Sequence, residues 1–461
     1  MQHGRTSTAF QALADGMSHW FDRQYSAENV MADVGVVAFA DTGRAWVAAG
    51  EPIASADDAI VVAERFAGAA TVRGRRVAFF ATEGILAASP RFHRTLIGEQ
   101  PVWDPRAWDD KVRRHRSMRE QLRRARAKGV RVRALTSVEL EENPRLRNAL
   151  DAVVVRWLAG RPMARMGFLV EVDPLRSLEH RQLFVATRGD EPLALLSLAP
   201  VPARNGWLFE HVLREARAPN GTAELLIDHA MRELAGQQVS WASLGLAPLA
   251  GNVDHWLRAV RTLSRPFFNF HGLSAFKRKL RPDAWAPIYL VYPREQRGVR
   301  ALLDGLRAFA GRPLLRFVLL TALRGPPPLL RALELLLVPW TIALAFVPTA
   351  PWFPSGFVHG AWILFDAALL LALRWLRMRP DPRLAVAIAG AVSVDALLTM
   401  LQAVTWTVPS MQASGRATSL AWIAVIIAVA GPLIAAPILW GAARRHAQLW
   451  QRPSRARPDA R

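Results

Sequence analysis

The chain has 461 residues and carries 59 Lys and Arg against 38 Asp and Glu, which gives a formal net charge of +21 at pH 7. Such a surface attracts polyanions, and both nucleic acid and an anionic bilayer qualify. The absence of cysteine excludes disulfides and thiolate-bound metal ions, and it fits a soluble part that stays in a reducing cytoplasm.

The N-terminal part predicts the first half of a mixed α/β fold, which we assign to residues 1–110. The N-terminus has no apolar run, so we expect no cleaved secretory signal. Val34 to Phe39 and Ala45 to Ala49 alternate like strands around the turn at Asp41-Thr42-Gly43. Asp57 to Ala67 has a helical pattern, and Val77 to Ala81 predicts a further strand.

A strongly basic segment comes next. Residues 111–133 contain eleven Lys or Arg and one acid, Glu120, while Met118, Leu122 and Ala125 recur at helical spacing. The basic face of this predicted helix is either simply solvated or a ridge that contacts phosphates, because guanidinium groups match phosphate oxygens. The residues predicted to contact phosphate are Arg113, Arg116, Arg119, Arg123, Arg124 and Arg126.

A second mixed α/β half is predicted over residues 111–295. Its predicted elements are strands at 183–187, 193–199, 206–210, 239–246 and 288–292 and a helix at 222–235. Two such halves around a central cleft are the natural assembly, although no internal sequence repeat is detectable.

The remaining chain predicts a membrane region. Residues 296–331 form a linker whose apolar part, Phe317 to Leu323, is either interfacial or buried. Within 332–443, four apolar stretches at about 332–350, 357–376, 384–408 and 419–441 each approach the ~20 residues of a membrane span. Asp366 and Asp395 fall inside these spans, where acids either serve function or bond a neighbouring helix.

The basic residues between the spans predict the orientation. The segments before the first span and between the second and third spans are basic, as is the tail 444–461, whereas the other two connections carry one Arg in total. By the positive-inside rule, both termini and the whole N-terminal region are cytoplasmic in the inner (plasma) membrane.

Three segments in the second half carry a pattern of their own. They are residues 218–226, Ala-Pro-Asn-Gly-Thr-Ala-Glu-Leu-Leu; residues 243–249, Ser-Leu-Gly-Leu-Ala-Pro-Leu; and residues 268–279, Phe-Asn-Phe-His-Gly-Leu-Ser-Ala-Phe-Lys-Arg-Lys. We call them the Asn-Gly, Ser-Leu-Gly and Asn-Phe-His motifs. In this order and spacing they resemble the catalytic domain of the phosphatidylglycerol lysyltransferases, the synthase half of the multiple peptide resistance factors.

This resemblance implies tandem acetyltransferase-like (GNAT-type) halves and an enzyme that moves an aminoacyl group, with Lys or Ala favoured, from aminoacyl-tRNA to phosphatidylglycerol. The partners would be the charged tRNA, the anionic lipid and the membrane, and no cofactor is implied. A less anionic cell surface and resistance to antimicrobial peptides would follow.

The same resemblance suggests roles for individual residues. Transfer to a lipid hydroxyl needs a base, stabilisation of an oxyanion and positioning of a polyanionic donor. The predicted catalytic residues are Glu224, Arg214, Glu210, His211 and Asp228. The predicted substrate-binding residues are Asn220, Gly221, Asn269, His271, Lys277 and Lys279.

Each role has a structural alternative. Glu224 in a first helical turn is favourable through the helix dipole alone, and Asp228 is consistent with an ordinary surface position. Arg214 could pair with Glu210, and the basic cluster 277–279 could be a solvated helix end.

Departures from the family pattern leave the cargo open, since His271 stands where many relatives have Lys. Two other functions remain open: an acyltransferase that uses a coenzyme A thioester, and a lipid-sensing scaffold without activity. The sequence has no dinucleotide or phosphate-loop fingerprint and no metal-ligand spacing, so no metal site is predicted.

Overall fold

The computed structural model describes residues 35–265, 268–379 and 381–450. The predictions for the N-terminus and for the end of the basic tail lie outside these residues. The chain divides into two compact units. The first comprises the residues up to Trp157 and Arg165–Leu314, and the second comprises Leu158–Ala164 and the residues from Leu315 onward.

The strands in the described residues all belong to the first unit. In chain order they are β1 (Gly35–Val36), β2 (Phe39–Asp41), β3 (Ala45–Ala49), β4 (Ile53–Ala54), β5 (Arg76–Thr82), β6 (Phe92–Trp103), β7 (Val130–Leu135), β8 (Gln182–Arg188), β9 (Glu191–Val201), β10 (Gly206–Arg214), β11 (Trp241–Ser243), β12 (Ala247–Pro248) and β13 (Ala284–Pro293). The strands predicted at residues 45–49 and 288–292 are present as β3 and as part of β13. β2 and β3 form the predicted hairpin.

Helices connect and cover these strands. They are α1 (Ala59–Val72), α2 (Ile85–Ala88), α3 (Trp108–Arg114), α4 (Arg116–Ala127), α5 (Ser137–Glu142), α6 (Pro144–Ala159), α7 (Thr222–Gly236), α8 (His255–Ser264), α9 (Phe270–Lys279) and α10 (Gly298–Ala310). The last residues of α6 belong to the second unit.

One large sheet runs through both predicted halves. Its strand order is β2-β3-β5-β13-β6-β11-β10-β9-β8-β7, and β12 also pairs with β6. The pairs β3–β5 and β10–β11 are parallel, and the helices α1 and α7 provide their crossovers. The other described pairs in this sheet are antiparallel. The same strand-helix-strand unit therefore occurs once in each half, without a detectable sequence repeat.

The C-terminal strand crosses between the halves. β13 follows the second half in sequence, but it pairs with β5 and β6 in the first half. Helix α10 then packs on the same half, because Asp304 binds Arg76 through two 2.7 Å hydrogen bonds and the rings of Phe309 and Phe80 lie 4.8 Å apart. Residues 298–310, which the sequence assigned to a linker, are thus a packed part of the first unit.

Apolar periodicity explains the helices that position the site. In α4 the buried residues are Met118, Leu122 and Ala125, the stripe predicted from the sequence. They join a core that includes Leu226 and Met231 of α7, both fully buried. Burying side chains of this size stabilises the fold by about 1.5–3 kcal/mol each, so α4 and α7 are held together by their apolar faces.

The second unit is helical in its described residues. Its helices are α11 (Leu314–Ala322), α12 (Pro327–Phe346), α13 (Thr349–Trp352), α14 (Gly356–Met378), α15 (Pro382–Gln402), α16 (Val408–Ala413) and α17 (Ser419–Trp450). A π-helical turn, Ala403–Thr407, joins α15 to α16. Four segments are long and apolar enough to cross a bilayer, namely Pro327–Phe346, Gly356–Met378, Pro382–Ala413 and Ser419–Leu449. The prediction of four candidate transmembrane helices is confirmed.

Candidate functional site

The Asn-Gly motif forms the turn between β10 and α7. Arg214, the last residue of β10, donates from Nη1 to the carbonyl oxygen of Ala218 at 2.9 Å and braces this turn. Gly221 has φ +92°, a conformation that favours glycine, and a Cβ atom there would lie 2.3 Å from the carbonyl oxygen of Gln121. The turn therefore needs glycine because it packs directly on the backbone of α4. Asn220 beside it is exposed.

Asp228 lies on α7, one turn after Glu224, and its buried carboxylate accepts several hydrogen bonds. Its side chain is 1% exposed. Oδ1 accepts from Trp108 Nε1 at 3.0 Å and from Arg232 Nε at 3.1 Å, and Oδ2 accepts from Arg126 Nη2 at 3.1 Å. The surface position considered for Asp228 is wrong. These bonds tie α3, α4 and α7 together and favour a positioning role.

Glu224 lies in the first turn of α7 and faces α9. Its Oε1 accepts a hydrogen bond from Lys279 Nζ at 2.8 Å, and its side chain is 13% exposed. A cavity of about 10 Å³ adjoins the pair and is lined by Trp108, Met118, Gln121, Leu122 and Leu280 as well. Such a volume is roughly that of one water molecule, so a substrate group that reaches Glu224 must displace Lys279 or widen this cavity.

Lys277 connects the Asn-Phe-His motif to the Ser-Leu-Gly motif. Its Nζ donates to the carbonyl oxygens of Leu244, Gly245 and Leu246 at 2.8, 2.8 and 2.9 Å. Three acceptors match the three protons of an ammonium group. The side chain is 4% exposed, and burial lowers the pKa of Lys277 to about 7. The alternative of a solvated helix end is therefore wrong for Lys277.

The start of α9 has a different character. Asn269 caps the helix, since its Oδ1 accepts from the backbone N–H of Gly272 at 2.8 Å. His271 is exposed in the first turn. The N-terminal part of the motif thus begins the helix, while Lys277 and Lys279 at its end make the contacts to the other two motifs.

Glu210 and His211 lie at a bulge in β10. Phe209 pairs with Leu198 and His211 pairs with Ser197, which leaves Glu210 as the extra residue. Glu210 forms an ion pair with Arg181, so the pairing of Glu210 with Arg214 considered from the sequence does not form.

The imidazole of His211 is buried beside Glu210. Its Nε2 is 3.8 Å from Glu210 Oε2 and has no hydrogen-bond partner among the described residues. Burial is the main cause that lowers the pKa of His211, so the ring is neutral at pH 7. A buried neutral imidazole with an open nitrogen is able to accept a proton. His211 lies beside Glu210 and pairs with Ser197 of β9, however, whereas Glu224 contacts α9.

The basic segment forms two helices and the start of a strand. His115 separates α3 from α4, and Arg131 and Arg133 lie on β7. The six arginines predicted to contact phosphate are all exposed. Arg113 lies at the end of α3, and the other five lie on α4: Arg116, Arg119, Arg123, Arg124 and Arg126. Arg123 and Arg124 share Glu120 and lower its pKa to about 2. The face as a whole keeps a large excess of positive charge.

Several contacts around the site were missed from the sequence. Glu215 and Arg156 form an ion pair with side chains 2% and 6% exposed, and Arg217 also binds Glu215. Arg181 and Trp108 were likewise not singled out. Nothing local marks Arg156, Arg181 or Trp108, because their partners lie 29 to 120 positions away in the chain.

The first unit is a mixed α/β fold, and the second contains four helices that could span a membrane by length and composition. The family model described as phosphatidylglycerol lysyltransferase, C-terminal, matches residues 1–292. The chain belongs to this family, and aminoacyl transfer to phosphatidylglycerol is the reaction of the family. No curated protein is significantly similar to the chain.

Solved structures with a similar fold include the following two. The C-terminal domain of a protein described as a lysylphosphatidylglycerol synthetase from Agrobacterium fabrum is 24% identical, with a TM-score of 0.53, over 64% of this chain and 96% of its own. L-PGS from Bacillus licheniformis is 20% identical, with a TM-score of 0.55, over 66% of this chain and 97% of its own. These matches confirm the predicted α/β fold class. In the described residues, no group of three His, Cys, Asp or Glu is placed to hold a metal ion.

Proposed function

We propose that this protein transfers an aminoacyl group, with lysine or alanine as cargo, from aminoacyl-tRNA to phosphatidylglycerol. The reaction would take place at the cytoplasmic leaflet of the inner membrane. The observation that carries the proposal is that the three motifs meet: Lys279 binds Glu224, and Lys277 binds the Ser-Leu-Gly carbonyls.

The reaction exchanges one ester for another. The lipid hydroxyl loses its proton and attacks the aminoacyl carbonyl carbon. The bond from that carbon to the tRNA ribose oxygen breaks, and this oxygen takes up a proton as it leaves. Glu224 is the residue proposed either to take this proton or to bind the ammonium of the aminoacyl group. Lys279, 2.8 Å away, would release Glu224 and offer its positive charge to the developing oxyanion.

The other predicted residues receive supporting roles. Arg214 and Gly221 hold the turn that begins α7, and Asp228 fixes α3 and α4 against it. Asn220 precedes the first residue of α7, and His271 lies in the first turn of α9. Both are exposed and remain proposed substrate contacts. Glu210 and His211 remain a proposed second acid-base pair.

The exposed arginines of α4 are proposed to bind the tRNA backbone. Gly221 lies against Gln121 and Arg126 binds Asp228, so α4 directly adjoins the helix that carries Glu224. A phosphate backbone bound on α4 would bring the charged end of a tRNA toward that helix. Such contacts position the nucleic acid without reading its sequence.

The test compares Glu224→Gln with Glu233→Gln, an exposed acid on the same helix. Phospholipids from expressing cells are analysed by mass spectrometry, and membranes are assayed with and without ribonuclease. The proposal predicts an aminoacylated phosphatidylglycerol that is made by the wild type and Glu233→Gln, is lost with Glu224→Gln, and requires intact RNA.

Two outcomes contradict the proposal in different ways. A product that survives ribonuclease would favour the coenzyme A thioester as the acyl donor. No product from any variant, with the protein folded in the membrane, would favour the lipid-sensing scaffold.

A further inference from the structure

The second unit contains a large cavity among its candidate membrane spans. Its volume is about 510 Å³, within the range of roughly 300–1,000 Å³ for small-molecule sites. Helices α12, α14, α15 and α17 all contribute to its walls. Pro432 within α17 and the π-helical turn Ala403–Thr407 lie on it, and both are irregularities that interrupt regular helix packing.

Two carboxylates face this cavity. Asp366 comes from α14 and Asp395 from α15, and both line the same cavity. Asp366 is 6% exposed, and within the described part of the chain it makes no hydrogen bond or ion pair. Asp395 is half-buried and accepts from Thr399 Oγ1 at 3.0 Å. An unpartnered acid in such a place is costly, and acids among membrane spans mark functional sites.

Three other polar side chains on the walls already have partners. Trp362 Nε1 donates to Gln402 Oε1 at 2.7 Å, and Gln402 Nε2 donates to the carbonyl oxygen of Trp352 at 3.2 Å. Thr407 Oγ1 donates to the same carbonyl at 3.0 Å. No Lys, Arg or His belongs to the described residues that line the cavity. The charge of Asp366 and Asp395 is therefore balanced either by protons or by a cationic ligand, and not by a basic side chain on the walls.

The shape and chemistry of the walls indicate which kind of ligand this is. Apart from the polar groups above, the cavity is lined by aliphatic and aromatic side chains such as Leu337, Trp340 and Phe353. A metal cation of the calcium type would need six to eight oxygen ligands and little space. An amphiphile with a cationic head fits better, because the acids would bind its head and the apolar walls its chain.

We propose that this cavity is a binding site for a lipid with a primary ammonium headgroup, held by Asp366 and Asp395. An ammonium has three N–H donors, and the carboxylates that line this cavity are acceptors for them. Two sources supply this chemistry: phosphatidylethanolamine, and the aminoacylated phosphatidylglycerol of the proposed reaction. The second source rests on the proposed function, whereas the site itself does not.

Binding of four lipids to the purified full chain in detergent tests this proposal by native mass spectrometry. The lipids are lysyl-phosphatidylglycerol, phosphatidylethanolamine, phosphatidylglycerol and N-acetylated phosphatidylethanolamine. The last is a matched control, since acetylation removes the ammonium charge and adds only a small acetyl group. We expect the two ammonium lipids to bind at least roughly tenfold more tightly than the other two.

Variants assign that preference to the cavity. Asp366→Asn with Asp395→Asn should abolish it, and Asp366→Glu should retain it. Glu334→Gln is the control, because this acid of the same unit pairs with Arg377 and does not line the cavity. Tighter binding of lysyl-phosphatidylglycerol than of phosphatidylethanolamine would identify the reaction product as the ligand, and the reverse order would identify the bulk lipid.

Equal binding of all four lipids by the wild type would overturn the proposal, and that comparison needs no variant. A preference that persists in the double Asn variant, at an unchanged melting temperature, would overturn it too. So would a wild-type protein that binds sodium ion but none of the four lipids. Transferase activity is measured separately with Glu224→Gln, so an inactive synthase domain and a cavity without ammonium selectivity give different results.

Discussion

Lys277 and Lys279 lie two positions apart at the end of α9, and they bind two different motifs. Lys277 Nζ reaches three backbone carbonyls of residues 244–246, whereas Lys279 Nζ reaches the carboxylate of Glu224. The last turn of one short helix thus fixes the positions of two distant segments. The arrangement separates a buried structural lysine from a half-exposed lysine next to the proposed reaction centre.

This difference predicts that replacement by methionine lowers stability at Lys277 and turnover at Lys279. Lys277→Met leaves three carbonyl oxygens without their donor, so we expect a loss of about 2–4 kcal/mol in the free energy of unfolding. Lys279→Met removes a partly exposed ion pair and should change stability little while it lowers turnover. Thermal unfolding of the full chain in detergent and the lipid assay measure the two effects. Equal destabilisation by both variants would contradict this division of roles.

The close contact between Gly221 and α4 predicts that alanine is not tolerated there. Gly221→Ala adds a Cβ atom 2.3 Å from a carbonyl oxygen at φ +92°, and the strained backbone alone costs about 1–2 kcal/mol. Gly236→Ala, at the other end of α7, is the matched control, because nothing lies within 4 Å of the added atom. We expect the melting temperature to fall for Gly221→Ala and to stay or rise for Gly236→Ala.

The arginines of α4 should give RNA binding a strong salt dependence. Arg116→Gln with Arg119→Gln is compared with Arg145→Gln and Arg147→Gln, an equal loss of charge at exposed positions in α6. Binding of tRNA is measured between low and physiological salt. Each lost phosphate contact should reduce the slope of log affinity against log salt by roughly 0.7–0.9. Identical slopes for both double variants would argue that α4 does not touch phosphates.

Burial of His211 predicts a loss of stability in mild acid. Its pKa is lowered in the folded protein, so below its ordinary value of 6.5 the unfolded chain binds a proton that the folded chain does not. The stability from this neutral ring is complete above that value and declines as the pH falls through it. His211→Gln should flatten the melting temperature between pH 7.5 and about 5.5. A steep decline in both proteins would place its cause elsewhere.

The lack of cysteine allows a direct test of the predicted orientation. Ala417→Cys lies in the connection before α17, and Met378→Cys lies at the end of α14; both positions are exposed. With both termini cytoplasmic, a membrane-impermeant maleimide added to spheroplasts should label residue 417 and spare residue 378. The reverse pattern would place the synthase unit outside, away from tRNA.

The sequence predicted best what depends on local pattern. The apolar stripe of α4, the hairpin of β2 and β3 and the four apolar spans follow from spacing or composition alone. The central strand β6 was missed because its sequence, with Gly98, Pro101 and several polar residues, lacks strand alternation. Its position is set by three neighbouring strands instead.

The contacts between site residues could not be predicted either, because the residues in contact are far apart in the sequence. The sequence singled out Glu224 and Lys279 but did not show that they touch, since 55 positions separate them. Asp228 had a surface pattern and proved to be buried, because Trp108 and Arg126 reach it from other helices. Long-range pairing, rather than any property of these residues, decided their roles.

The placement of β13 has a consequence for the order in which the protein is made. Until residue 293 has left the ribosome, β5 and β6 lack the strand that lies between them, and the N-terminal half has an open gap in its sheet. That half therefore has to wait for the C-terminal half before it can close, and a fragment that stops before residue 284 should expose two unpaired strand edges that invite aggregation. The two halves are one folding unit, finished by its last strand shortly before the first candidate membrane span is synthesised.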